Sequence, residues 1–295
     1  MRPIILSDSW RHKMLNKTLI LFSAIILGTL AFPTPEEDDM SIFFENVNSN
    51  SRIVGGTEAA EGSHPHMAAI TSGLIVKSFM CGASIISPRS AMTAAHCAVP
   101  LVSGESIKRS AKINIGSNNW KGGVEINIIG SATHADYNPN TIKNDIGMLF
   151  TEVAITYTDL IKPIAISYEP VEGGVPVIAA GWGRVSTNGR VPNLLRELTV
   201  PTLGRQECQE EMVRSAAQLN FRPPPIDTEI ELCTLHDNGA GFGMCRGDSG
   251  SALSRVDTGE QVALVSWGLP CALGAPDMFV RLSAYKDWIE EHVKY

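Results

Sequence analysis

The stretch Gly243-Met244-Cys245-Arg246-Gly247-Asp248-Ser249-Gly250-Ser251 sets a serine in a tight, glycine-flanked turn. Such a turn exposes the hydroxyl oxygen and aims backbone N–H groups at one point, the pairing of nucleophile and oxyanion site that acyl transfer requires. A serine hydroxyl is a weak nucleophile at neutral pH and needs a base beside it. Histidine, with an ordinary pKa of about 6.5, takes that proton and returns it to the leaving group. A buried carboxylate then holds the tautomer and stabilises the imidazolium. Thr93-Ala94-Ala95-His96-Cys97 and Asn144-Asp145-Ile146-Gly147-Met148-Leu149 supply one of each. His64, His66, His134 and His236 stand in no such context and read as structural or surface groups.

With Ile53-Val54-Gly55-Gly56 directly after Arg52, these stretches resemble the trypsin/chymotrypsin-like serine protease family, from Ile53 to the C-terminus. The resemblance implies an all-β fold: two six-stranded antiparallel β-barrels, about 53–170 and about 171–295, with a C-terminal α-helix and the active site in the cleft between them. It makes His96, Asp145 and Ser249 catalytic, sets Ser266 behind Asp145, and assigns the oxyanion hole to the N–H groups of Gly247 and Ser249. Cleavage after Arg52 is implied to free the α-amino group of Ile53, which pairs with Asp248 and orders the segment carrying Gly247. Six cysteines pair in many ways, and the residues alone do not choose. The resemblance chooses Cys81–Cys97, Cys208–Cys233 and Cys245–Cys271. No C-x-x-C pair is present, which makes a metal-site reading poor, and no cofactor is expected.

The resemblance also outlines a specificity pocket. Gly243 is the floor, uncharged where tryptic members carry aspartate. Gly268 leaves the mouth open to large side chains, and Ser266-Trp267-Gly268 pairs with the substrate backbone as an added strand. Asp277, in Pro276-Asp277-Met278-Phe279, stands where the usual pattern has glycine. Collagenase-like members with a floor glycine and this second aspartate accept apolar and basic residues; the other reading of Asp277 is an exposed turn residue. The expected specificity is broad and leans to large apolar residues. Ser251-Ala252 replaces the usual Gly-Pro, and Ser117 stands in place of an early glutamate of calcium-binding members, so no calcium site is expected.

The elements that must position these residues read as short strands. Met67-Ala68-Ala69-Ile70, Ser84-Ile85-Ile86, Met148-Leu149-Phe150, Val175 to Ala180 and Ala263 to Trp267 are apolar runs; Lys112 to Ile115 and Val124 to Ile128 alternate apolar with polar residues. Tyr285, Trp288, Ile289 and Val293 recur at helical spacing. Residues 208–233 read as a loop containing Phe221-Arg222-Pro223-Pro224-Pro225, either bordering the substrate cleft or plain surface.

The N-terminus reads as a signal peptide over residues 1–31: basic residues through Lys17, an apolar run, then Thr29-Leu30-Ala31. That run is about 14 residues, short of the ~20 that span a bilayer, so secretion without a membrane anchor is expected. Residues 32–52, with the acidic run Glu36-Glu37-Asp38-Asp39, read as an activation pro-segment, and 53–295 as the protease domain. The net charge of −7 argues against a nucleic-acid partner. Expected partners are protein or peptide substrates, an activating trypsin-like protease and protein protease inhibitors, acting on a monomer. The competing readings are a non-catalytic secreted binding protein on the same fold and a limited-processing protease of a cascade.

Overall fold

A computed structural model describes residues 54–186, 188–269 and 271–295. The signal and pro-segment readings, with Arg52 and Ile53, lie outside the described residues. The expected runs lie in β2, β3, β7, β8 and β9 of the strands β1 Thr57–Glu58, β2 Met67–Ser72, β3 Ser78–Ser87, β4 Ser90–Thr93, β5 Val102–Ser103, β6 Ser106–Ile107, β7 Lys112–Ile115, β8 Val124–Thr133 and β9 Gly147–Thr151. In the second half the strands are β10 Pro176–Gly181, β11 Arg196–Pro201, β12 Glu231–Thr234, β13 Ala252–Arg255, β14 Gln261–Gly268 and β15 Asp277–Arg281. β2-β3-β4-β9-β8-β7 close into a six-stranded antiparallel barrel, with β5 and β6 as a separate ribbon. Ile70, Ile85, Met92, Ile113, Met148 and Leu149 fill it. In β8 the alternation is kept: Ile126 and Ile128 face in, whereas Asn127 and Ile129 face out.

The second half is a seven-stranded antiparallel sheet in the order β1-β11-β10-β13-β14-β15-β12. The extra strand is β1, which pairs Thr57 with Glu197 and Glu58 with Arg196. The chain just after residue 54 therefore joins the second sheet before it builds the first barrel. Beyond that pairing the same edge of β11 meets β12: Thr202 bridges Thr234, and the Leu203 N–H donates to the Cys233 carbonyl at 2.9 Å. The sheet thus curls round on itself over Val177, Leu198, Leu253, Val265 and Phe279.

Among the described residues three α-helices follow from local causes. α1 is the single turn Ala95–Ala98. α2, Arg205–Gln218, corrects the reading of residues 208–233 as loop throughout. Cys208, Met212, Ser215 and Ala216 recur at helical spacing and are buried, and the Glu207 carboxylate caps the Gly204 N–H. Residues 221–225 have no regular structure, but Phe221 and Ile226 pack beneath α2. A 3₁₀ turn, Leu282–Tyr285, leads into α3, Lys286–His292. Leu282, Tyr285 and Ile289 enter the first barrel's core, and Ser90 Oγ accepts the Lys294 N–H at 2.8 Å, so the C-terminus straps the two halves together. Among the described residues no helix is long and apolar enough to cross a membrane.

The cysteines pair as the resemblance implied: Cys81–Cys97, Cys208–Cys233 and Cys245–Cys271.

Candidate active site

Asp145 follows Asn144, whose φ of 55° is one that few side chains tolerate. The turn is held by the Asn144 amide, which donates to the Asp136 carbonyl and accepts from the Tyr285 hydroxyl at 2.9 Å. Asp145 is thereby buried, and its two oxygens are used in different ways. Oδ1 accepts the His96 backbone N–H at 2.9 Å, and Oδ2 faces His96 Nδ1 at 2.8 Å. Ser266 Oγ donates to the same Oδ2 at 2.6 Å. Ser266 sits where the β14–β15 register slips between Val265 and Trp267, and this bulge turns its hydroxyl toward Asp145. Burial alone would lower the His96 pKa, but the Asp145 charge and hydrogen bond outweigh it and the net shift is upward. This arrangement fixes the Nδ1–H tautomer and leaves Nε2 as the base.

The serine turn lies against the same corner. The Ser249 carbonyl accepts the Gly82 N–H at 2.9 Å, next to the Cys81–Cys97 bridge, whose sulfurs lie within 4.8 Å of a His96 ring nitrogen. Those sulfurs are bonded to each other, so the trio has no thiolate to offer a metal. Gly250 is required by contact as well as by its φ of 79°: a Cβ there would stand 2.1 Å from Thr93 Oγ1. The N–H groups of Asp248, Gly250 and Ser251 donate to the carbonyls of Cys245, Val265 and Asp248. Among the described residues no backbone carbonyl takes the N–H of Gly247 or Ser249, the pair that the resemblance assigns to an oxyanion hole. Ser251, at the Gly-Pro departure, is buried against Gly82.

Asp248 is fully buried. Its Oδ1 accepts the Gly183 N–H at 2.8 Å and Oδ2 the Cys245 N–H at 2.9 Å. Burial pushes its pKa up to about 7 despite those two bonds. Nearby, Val54 is buried and exchanges both backbone hydrogen bonds with Gly243, N to O at 3.2 Å and O to N at 3.1 Å.

Beside Ser249 opens a small cavity lined by Met244, Val265, Ser266, Trp267, Gly268 and Asp277, among others, with the Cys245–Cys271 bridge in its wall. Asp277 begins β15 opposite Gly268 and is 8% exposed, so it is no surface turn residue. Its Oδ2 accepts the Met244 N–H at 2.8 Å, and a Cβ on Gly243 would stand 2.7 Å from that oxygen. Burial, opposed by the Met244 bond and reinforced by the Asp248 charge, pushes Asp277 up to about 8.

The four histidines without motif context are held by neighbouring groups. His64 pairs with Glu197 at 2.6 Å; burial, with His64 beside it, pushes His66 down to about 3; His134 meets the Tyr285 ring edge-on; His236 stacks on Phe242. In the loop doubted as a calcium site, Ser117 Oγ and Asn119 Oδ1 accept N–H groups of Asn119 and Lys121. Sequence reasoning did not find Tyr285 as a partner of the Asp145 turn. It read that residue only as part of an apolar helix face.

The trypsin family model matches residues 53–289. Chymotrypsin-2 of Vespa crabro is 34% identical over 81% of this chain and 99% of its own length. Trypsin II-P29 of Gallus gallus is 30% identical over 94% of this chain and 98% of its own, and Trypsin-1 of Astacus astacus 31% over 81% and 98%.

Proposed function

Because the chain belongs to the trypsin family of serine endopeptidases, we propose that it hydrolyses peptide bonds through Ser249, His96 and Asp145. Ser249 Oγ attacks the scissile carbonyl carbon as its proton passes to His96 Nε2. The carbonyl oxygen takes the negative charge under the N–H groups of Gly247 and Ser249. Collapse of the tetrahedral species breaks the C–N bond, and His96 hands its proton to the departing amine. Water then repeats the attack on the acyl-serine, with its proton taken by His96, and releases the acid. The observation that carries this reading is the Asp145 carboxylate, held by Ser266 and facing His96 Nδ1 at 2.8 Å.

Activation is read as cleavage after Arg52 by a trypsin-like protease, separating the pro-segment 32–52 from the catalytic domain 53–295. The freed Ile53 α-ammonium then pairs with Asp248. Two observations support this: Val54 is paired with Gly243, and the buried Asp248 has backbone donors but, among the described residues, no cation beside it. An uncompensated buried carboxylate is costly, and an ammonium relieves that cost.

Relatives named chymotrypsin and trypsin match at similar identity, so the pocket must argue the specificity. An uncharged floor at Gly243, an open mouth at Gly268 and a buried carboxyl at Asp277 favour large apolar side chains. They also favour basic ones once Asp277 ionises. Ser266, Trp267 and Gly268 form the edge that pairs with the substrate backbone. The remaining reading is of a secreted monomer acting on proteins or peptides, restrained by protein inhibitors, without nucleic-acid or membrane partners.

The test is labelling by a fluorophosphonate of protein cut after Arg52. Labelling at Ser249, lost in Ser249→Ala and nearly absent in uncut Arg52→Gln protein, is expected. An unlabelled serine with no turnover of peptide amides ending in Phe, Leu, Arg or Ala would identify a non-catalytic binding protein instead.

A further inference from the structure

Three consecutive residues of the first half are each gripped by one side chain of the second. Asp145 is held by Ser266 and Asn144 by Tyr285. The third is Lys143, whose ammonium donates to Glu231 Oε1 at 2.8 Å. Glu231 begins β12, is 5% exposed, and has its carboxylate fully engaged. Its Oε1 also accepts the Trp267 indole N–H at 2.8 Å, and Oε2 accepts the Asp227 N–H at 2.8 Å. The Lys143 ammonium lies 5.3 Å from the Trp267 ring centroid, so the indole is held at its N–H by the anion and at its face by the cation.

This hub joins three regions. Lys143 leads into Asp145. Asp227 closes the proline-rich stretch after α2, whose Phe221 and Ile226 pack with Ile142 and Trp267. Trp267 lines the cavity beside Ser249. Burying a charged pair is no route to stability in itself, because desolvation offsets much of the attraction. What such a pair does supply is a fixed geometry for the groups that share it.

We propose that Glu231 is a positioning residue for substrate recognition: it fixes the Trp267 edge against the Asp145 turn, so that residues preceding the scissile bond bind in register with the nucleophile. This rests on the reading of Ser266, Trp267 and Gly268 as the substrate-pairing edge. Loss of Glu231 lets the indole turn while leaving His96, Asp145 and Ser249 in place. The penalty therefore falls on substrates long enough to reach Trp267.

The experiment compares a four-residue peptide amide with the matching single-residue amide, on active-site-titrated protein cut after Arg52. The variants are Glu231→Gln and the double variant Glu231→Met/Lys143→Met. The double variant leaves no lone buried charge and so keeps the test open if the single variant fails to fold. In the wild type, kcat/KM rises with peptide length. That gain is expected to fall about tenfold in both variants, mainly through KM, short of the ~10²-fold that a 1 Å misplacement of reacting groups costs. Single-residue turnover and the rate of fluorophosphonate labelling stay within about twofold. A gain that the variants keep, or an equal loss on short and long substrates, overturns the role of Glu231. No gain from length in the wild type sinks the edge reading, and this proposal with it.

Discussion

Asp248 and Asp277 are two buried carboxylates served by successive N–H groups of one segment, Cys245 for the first and Met244 for the second. Both are pushed far above the usual carboxylate range by burial. They differ in enclosure. Asp248 is 0% exposed and has two backbone donors; Asp277 is 8% exposed, has one donor among the described residues, and borders the cavity. On the function proposed above, similar chemistry serves two ends: the closed carboxylate would take a cation from its own chain, and the open one a cation carried by a substrate.

The largest test of that contrast is stability against pH. Both groups bind protons more tightly folded than unfolded. Their contribution is therefore fully present below about pH 4 and is lost as pH rises through about 7 for Asp248 and about 8 for Asp277. For Asp248 the loss is on the order of 4 kcal/mol. Chemical denaturation of a Ser249→Ala background, uncut as Arg52→Gln or cut after Arg52, reads it directly. The Asp248 loss is expected only in the uncut protein, and the Asp277 loss in both. Identical curves would mean that the new N-terminus does not reach Asp248.

Next in size is catalysis. Asp248→Asn is expected to lower kcat/KM about 10²–10³-fold, the cost of losing an ordered oxyanion donor, and to do so equally for Phe and Arg amides. A loss confined to Arg would exchange the roles of the two carboxylates. Asp277→Gly should lower kcat/KM for Arg amides roughly 10–100-fold, from the ~1.5–3 kcal/mol of a hydrogen bond to a charged group, and leave Phe amides within about twofold. The smallest effect is in the Arg-to-Phe ratio of kcat/KM. Both rates fall as pH drops through the raised pKa of His96, so that dependence cancels in the ratio. The ratio itself should rise severalfold as Asp277 ionises near pH 8 and be flat in Asp277→Asn.

The parts of this molecule that were legible in sequence are those whose signal is local. Strands such as Lys112–Ile115 and Val124–Thr133 show their alternation within a few residues, and the segments around His96, Asp145 and Ser249 are contiguous motifs. Helix α2 was missed because its buried face is only Cys208, Met212, Ser215 and Ala216 among charged and amide residues, in a stretch framed by cysteines. Lys143 and Glu231 are 88 residues apart and look like ordinary surface charges; only the fold makes them partners. Asp277 was left between two readings because the residues alone do not give the register of β15, and register decides which way a strand residue faces. Its pairing with Gly268 turns it inward.

The close approach of Gly243 to Asp277 also constrains how such an enzyme can change. A side chain at 243 would begin at a Cβ 2.7 Å from Asp277 Oδ2, on a backbone with φ of 152° that already favours glycine. The pocket therefore seats one acidic residue, and the seat is taken. A lineage, or an engineer, moving that charge to the floor must vacate position 277 before filling 243, because the reverse order drives two carboxylates into one space. The passable intermediate is a glycine-glycine pocket without charge, so on the specificity proposed above the route to a strictly basic enzyme runs through one selective for apolar residues.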